Sequence, residues 1–335
     1  MYKKRMAKLP LETSLINPVT RIEDLDYIEV PFSEYSPSIL PPLPVGVWHN
    51  GELLTTYEIN PAIAYSLDGS YDYSQSLQAI ENRNITDEKI RISSFAKWLG
   101  GIPDPKSPKK LEPVLLSIGG IALKDLAVAQ SKSVEDLITS LAYKDVAVIA
   151  MAIRLIVYEG DTGYAVEQRC GLEGCPLGKR DTIKLQANFN ELVIRYPRQP
   201  PQSPSYTVKL ATGIKYKETR LESIDLGYAK LHQVSRMMAI KGNGKAETTE
   251  MLDLLTTGIE GLPEFADLRR TKRLPEIFSI MSIKDSQIVT AAFDLMDKTG
   301  CNTQLNPVCS CFKEESIPIG FAWMRWSGIY GVQPQ

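Results

Sequence analysis

All five cysteines of this chain fall in two short stretches, Cys170-x4-Cys175 and Cys301-x7-Cys309-x-Cys311, with 125 residues, 176 to 300, between them. Thiolates grouped in this way favour a tetrahedral metal site in which zinc takes four sulfurs at about 2.3 Å, with one pair drawn from each of two turns. Cys170, Cys175, Cys309 and Cys311 supply such pairs, and a quartet with Cys301 in place of Cys311 stays open. Four protein ligands leave no position for substrate, so zinc here would be a structural staple, with apparent affinities on the order of 10–16 kcal/mol. Gly171 and Gly174 make the wider loop pliable, and Pro176 follows it. Packing of the thiols as small hydrophobes is the plainer alternative. A catalytic thiol has little local support, because the only histidines are His49 and His232.

Other features bound the class of protein. A chain of 335 residues is long enough for two or three domains. With 38 Lys and Arg against 40 Asp and Glu, no overall charge draws it to DNA or to an anionic membrane. The most apolar run, residues 146–153, is interrupted by Arg154 and resumes only for Leu155-Ile156-Val157, well short of the roughly 20 residues that span a bilayer. It reads as a buried helix. The basic start, Met1-Tyr2-Lys3-Lys4-Arg5-Met6, is followed by no apolar segment of secretory type, which points to a reducing cytoplasm where clustered cysteines suit a metal better than disulfides.

Local signals divide the chain into five stretches. Residues 1–44 are rich in proline and end Pro41-Pro42-Leu43-Pro44, which reads as an extended arm that is either disordered or lies along a neighbour. Residues 45–110 open with Asn50-Gly51 between β-prone runs, a hairpin signal, and continue as an irregular linker. Residues 111–220 hold two tandem helices, starting at Ser133 with Asp136 three residues on and running to Val157, then a strand from Tyr164 to Cys170. Short strands at 182–185, 191–195 and 206–210 complete a small antiparallel sheet in this stretch. Residues 221–300 read as helical from Ile224 onward, and the last helix has Ser282 as N-cap, Asp285 at N3 and Gly300 as its stop. Residues 301–335 carry the second cysteine cluster and the aromatic tail with Phe321, Trp323 and Trp326. The predicted class is α+β.

Two further motifs have plain readings. Lys241-Gly242-Asn243-Gly244-Lys245 lacks the spacing of a phosphate loop and reads as a helix-to-helix connection. Arg269-Arg270-Thr271-Lys272-Arg273 is the strongest basic patch, without interleaved aromatics for stacking bases. It carries the alternative reading of the chain as a zinc-ribbon nucleic-acid-binding protein.

The order of features resembles the baseplate-hub and hub-assembly proteins of T-even-type contractile-tail phages and related tail proteins. Over residues 43–326 it runs from the hairpin at Gly46 to Gly51, through the helix pair ending Ile153-Arg154-Leu155-Ile156-Val157-Tyr158-Glu159-Gly160, to Cys170-x4-Cys175. It continues with Leu210-Ala211-Thr212-Gly213-Ile214 and closes on Val308-Cys309-Ser310-Cys311 and Ile317-Pro318-Ile319. The family's Cys-x2-Cys pattern is altered at both pairs. The resemblance implies a non-enzymatic structural or assembly component of a phage tail, or of a tail-derived injection system. Its expected partners are other baseplate and tail proteins, with several copies in a symmetric assembly, no nucleic acid and no membrane. It would reside in the host cytoplasm during assembly and in the virion tail baseplate afterwards.

Overall fold

A computed structural model describes residues 21–62, 88–103, 112–158, 163–168, 183–240, 245–301, 304–305 and 319–320. The fold is α+β, and every pair of neighbouring strands in its sheets is antiparallel. The strands β1 (Tyr27–Pro31), β2 (Val47–His49), β3 (Glu52–Leu54) and β4 (Tyr57–Ile59) come first, followed by helix α1 (Glu88–Gly100). Strands β5 (Leu115–Ile118) and β6 (Ile121–Ala122) then lead into α2 (Leu123–Ala129), α3 (Val134–Thr139) and α4 (Tyr143–Val157).

The β2–β3 hairpin forms where Asn50-Gly51 predicts it. Asn50 has φ 49° and Gly51 φ 82°, the two left-handed positions of a tight turn whose twist matches its strands. The tandem helices also match their sequence signals: the Ser133 hydroxyl accepts from the Asp136 N–H and starts α3. Helix α4 is buried from Lys144 to Val157, as a helix that is apolar almost all round must be.

Around α4 lies the larger of two main hydrophobic cores. It takes in Phe95 and Leu99 of α1, Leu115 and Ile118 of β5, Tyr57 of β4, and Phe32, Leu40 and Leu43 from the proline-rich stretch. Residues 32–43 are therefore packed into this body instead of extending from it, while Ile22 and Leu25 join the second core. Strand β1 pairs with β9 (Val193–Pro197), in register from Tyr27 opposite Pro197 to Pro31 opposite Val193, and β13 (Gly300–Cys301) lies on the other side of β9. The prolines at 41, 42 and 44 are compatible with this burial because the segment makes few main-chain bonds, one of them from Leu43 N–H to the Thr55 carbonyl at 2.7 Å.

The second core sits between a sheet and a helical layer. Strand β7 (Gly163–Gln168) pairs with β8 (Ile183–Asn188) as a separate ribbon. Strands β10 (Ser205–Tyr216), β11 (Thr219–Gly227) and β12 (Thr256–Ile259) form a three-stranded sheet. Helices α5 (Val234–Ala239), α6 (Lys245–Leu255), α7 (Phe265–Arg270), α8 (Leu274–Ser279) and α9 (Ile283–Asp297) follow, and Leu252, Phe278, Val289 and Ala292 pack on Val208, Ile224 and Leu226. Ile224 and Leu226, expected as the start of a helix, lie in β11 opposite Val208 and Tyr206. Residues on both faces of β11 are buried, Leu221 and Ser223 on one and Ile224 and Leu226 on the other, so the period-2 alternation that marks a half-exposed strand is weak. Short strands β14 (Gln304–Leu305) and β15 (Ile319–Gly320) pair with each other.

Candidate functional site

The two cores meet at the N-terminal end of α4. Main-chain bonds from Tyr143 N–H to the Ala229 carbonyl at 3.0 Å and from Leu231 N–H to the Leu141 carbonyl at 2.9 Å stitch the α3–α4 connection to the segment after β11. Lys144 and Asp145 then point to opposite partners.

Lys144 is nearly buried, and its Nζ donates to the Asp297 carbonyl at 2.8 Å and pairs with Asp297 Oδ1 at 2.8 Å. A cation near its own helix N-terminus is poorly placed, but here it sits at the C-terminal end of α9, where unpaired carbonyls and the helix dipole favour positive charge. Tyr143 Oη donates to Asp297 Oδ1 at 3.1 Å. Burial works against the Asp297 anion, yet the Lys144 ammonium and the hydrogen bonds from Lys144 and Tyr143 hold its carboxyl below the usual carboxylate range. Tyr228 Oη lies 2.7 Å from Thr299 Oγ1, and the Tyr27 hydroxyl donates to the Leu295 carbonyl. The end of α9 is thus closed by side chains from three separate segments.

Asp145 is fully buried, with 0% of its surface exposed. Its Oδ1 accepts from Val45 N–H at 2.8 Å and its Oδ2 from Gly46 N–H at 3.0 Å. Gly46 is required here: its φ is +77°, and a Cβ would approach Leu53 Cδ1 and the Leu54 carbonyl oxygen to 2.9 Å. Burial raises the Asp145 pKa to about 7, outweighing the two N–H donors that favour the anion. The Asp145 carboxyl group clamps the end of the proline-rich segment onto the central helix. Arg154, 1% exposed in the same helix, stacks over Tyr158 at 4.4 Å and Phe189 at 5.4 Å.

Beside the Lys144–Asp297 pair is a cavity of about 330 Å³ between α4, α6 and α9. Met237, Met251, Leu255 and Phe293 give it apolar walls, and exposed Glu247 and Asp294 stand on its rim.

Of the residues singled out in the sequence, Cys170, Cys175, Cys309 and Cys311 lie outside the described residues, as do Phe321, Trp323, Trp326 and residues 241–244. The described strands flank both cysteine pairs: Gln168 pairs with Ile183, and Leu305 with Ile319. Cys301 is described. It is 4% exposed in β13 opposite Ile194, and burial pushes its thiol up to about 12. Among the described residues, no group of three or more His, Cys, Asp and Glu side chains is placed to hold a metal ion.

The basic patch is largely engaged within the fold. Arg269 donates to the Thr256 carbonyl at 3.0 Å, Arg270 pairs with Asp267 at 2.9 Å, and Arg273 pairs with Glu276 at 3.1 Å. Lys144, Asp145 and Asp297 are the junction residues that sequence reasoning missed. The available signal was a Lys-Asp pair opening an apolar helix with no side-chain cap of its own, since the N-cap position is Ala142. No described helix is long and apolar enough to cross a membrane. No family model, no curated protein and no solved structure matches the chain.

Proposed function

We propose that this chain is a non-enzymatic assembly component that works through protein contacts, and that its setting is the baseplate of a contractile phage tail or a tail-derived injection system. The observation that carries the contact reading is the α8–α9 corner. There, Ile280 is 58% and Ile283 75% exposed, three residues apart. This corner is rigid. The Ser282 hydroxyl accepts from Asp285 N–H at 3.1 Å and donates to Asp285 Oδ2 at 2.8 Å, while buried Asp285 Oδ1 accepts from Thr212 N–H at 2.9 Å. Two large aliphatic side chains on a fixed platform lose little conformational entropy on docking, which suits a contact surface. Ile283 also edges a groove of about 440 Å³ along α9, between Thr248 and Thr290, that extends the surface. The baseplate setting rests on the sequence resemblance, and its partners are other tail proteins in a symmetric assembly of several copies.

Zinc enters this reading as a structural staple on Cys170, Cys175, Cys309 and Cys311. Bound zinc would supply cross-linking and no chemistry on a substrate.

The test is recovery of the tagged full-length chain with particles when it is expressed beside a contractile-tail system. The wild-type chain is expected in the particle fraction and the Ile280→Asp/Ile283→Asp variant in the free fraction, with the same melting temperature. Recovery of both forms at the same level would overturn the role given to this corner, and a wild-type chain that never enters particles would overturn the setting.

A further inference from the structure

A second cavity, of about 260 Å³, lies where strand β2, the α2–α3 connection, the start of β10 and the end of β11 come together. It draws on both cores, with Leu137 and Leu141 from the larger and Tyr206 from the second. Two lysines, Lys132 and Lys230, line it, and among the described residues no carboxylate does.

Both ammonium groups lack an acidic partner. The half-buried Lys132 is held by neutral acceptors, its Nζ donating to Gln130 Oε1 at 3.0 Å and to Ser140 Oγ at 2.9 Å, so one of its three N–H donors is still to be used. Lys230 forms no ion pair with a described residue. Desolvation lowers its pKa, and the charges that act on it, Lys132 and Arg269, are both positive and push the same way. Arg269 is spent on the Thr256 carbonyl at 3.0 Å. A bound anion would relieve the repulsion between the two lysines.

An independent observation comes from the same wall. Tyr206, 1% exposed, lines the cavity, and its hydroxyl has no hydrogen-bond partner. Tyr228, whose ring meets that of Tyr206 edge-on at 5.9 Å, is already paired with Thr299 Oγ1 at 2.7 Å. Buried hydroxyls almost always find a partner, so an orphaned one beside two uncompensated cations marks a place for an acceptor.

We propose that this cavity binds a small, doubly charged oxyanion of the phosphate class between Lys132 and Lys230, with the Tyr206 hydroxyl donating a further hydrogen bond. A single negative charge would leave one of the two ammonium groups uncompensated. Occupancy ties the α2–α3 connection to β10 and β11 across the two cores and stabilises the folded chain by mass action. The site is independent of the baseplate reading and stands whatever the chain assembles with.

Isothermal titration calorimetry of the full-length protein with inorganic phosphate, in chloride buffer of matched ionic strength, tests this. Saturable binding is expected, and acetate, with one charge, should compete poorly. Lys132→Gln and Lys230→Gln should each weaken phosphate binding about tenfold or more, because each removes a charge-assisted hydrogen bond. Tyr206→Phe should weaken it about fivefold without lowering the melting temperature of the phosphate-free protein, since it deletes a hydroxyl that has no partner. Lys209→Gln, at an exposed position of β10 outside the cavity, should bind as wild type. No saturable binding at millimolar phosphate, unchanged affinity in Lys132→Gln and Lys230→Gln, or equal weakening by Lys209→Gln would overturn the proposal. A lowered melting temperature in Tyr206→Phe with unchanged phosphate affinity would overturn the part given to that hydroxyl, and acetate binding as tightly as phosphate would overturn the double charge.

Discussion

Replacing Asp145 with Asn tests the junction through its pH dependence. The folded-state pKa of about 7 lies above the unfolded value of about 3.9. Between these values the folded carboxyl holds a proton that the unfolded chain has released. The native state then binds more protons, so stability falls as pH rises, by about 1.4 kcal/mol per pH unit, until the folded group ionises near pH 7. From pH 5 to pH 8 the wild-type protein should therefore lose about 2–3 kcal/mol from this group alone. The shifted carboxylates Asp26, Glu264 and Asp297 are all moved downward, so their contributions change below this window. Asn cannot ionise and removes the slope. It also presents one acceptor where Val45 and Gly46 offer two donors, which costs about 1–3 kcal/mol at pH 5. Urea unfolding at half-unit pH steps should show the variant clearly weaker at pH 5, with the gap narrowing by about 2–3 kcal/mol toward pH 8. Parallel curves for the two proteins would refute the assignment of a buried, proton-binding clamp.

The remaining expectations are simpler. Lys144→Met keeps the buried stem but removes the ammonium from the end of α9. Asp297 remains exposed, so the loss should be modest, about 1–2 kcal/mol by chemical denaturation, with hydrogen exchange accelerating in the last turn of α9. Ser282→Ala removes the cap that starts α9 and should cost about 1 kcal/mol, measured the same way. Cys175→Ser should abolish a one-to-one zinc stoichiometry in native mass spectrometry and lower the melting temperature, whereas Cys301→Ala should leave the zinc content unchanged; equal zinc in all three proteins would remove the staple.

How much of this was legible in the sequence depended on how local each signal is. Asn50-Gly51, Ser133 with Asp136, and Ser282 with Asp285 each act within four residues, and each produces the turn or cap it predicts. Strand β11 was misread because it is covered on both faces and its pairing with β10 includes a register shift between Lys209 and Ile214. The placement of residues 21–44 depends on β1 finding β9 more than 160 positions away, and no local pattern carries that pairing. The junction was hidden for the same reason. Asp145 reads as an ordinary first-turn acid, and its donors are about 100 residues distant, while the contact from Lys144 to Asp297 spans 153. Proline content misled in a physical way: it excludes helix and central strand but does not forbid burial when the few remaining N–H groups find acceptors such as the Thr55 carbonyl and Asp145.

Electron microscopy of contractile tails assembled with a gold-labelled full-length chain tests the central claim most directly. The account predicts label at the baseplate end of the tail, in several symmetrically placed copies, and its loss from the particles with Ile280→Asp/Ile283→Asp. Tails that assemble completely and carry no label, while the folded chain is abundant in the same cells, would contradict it.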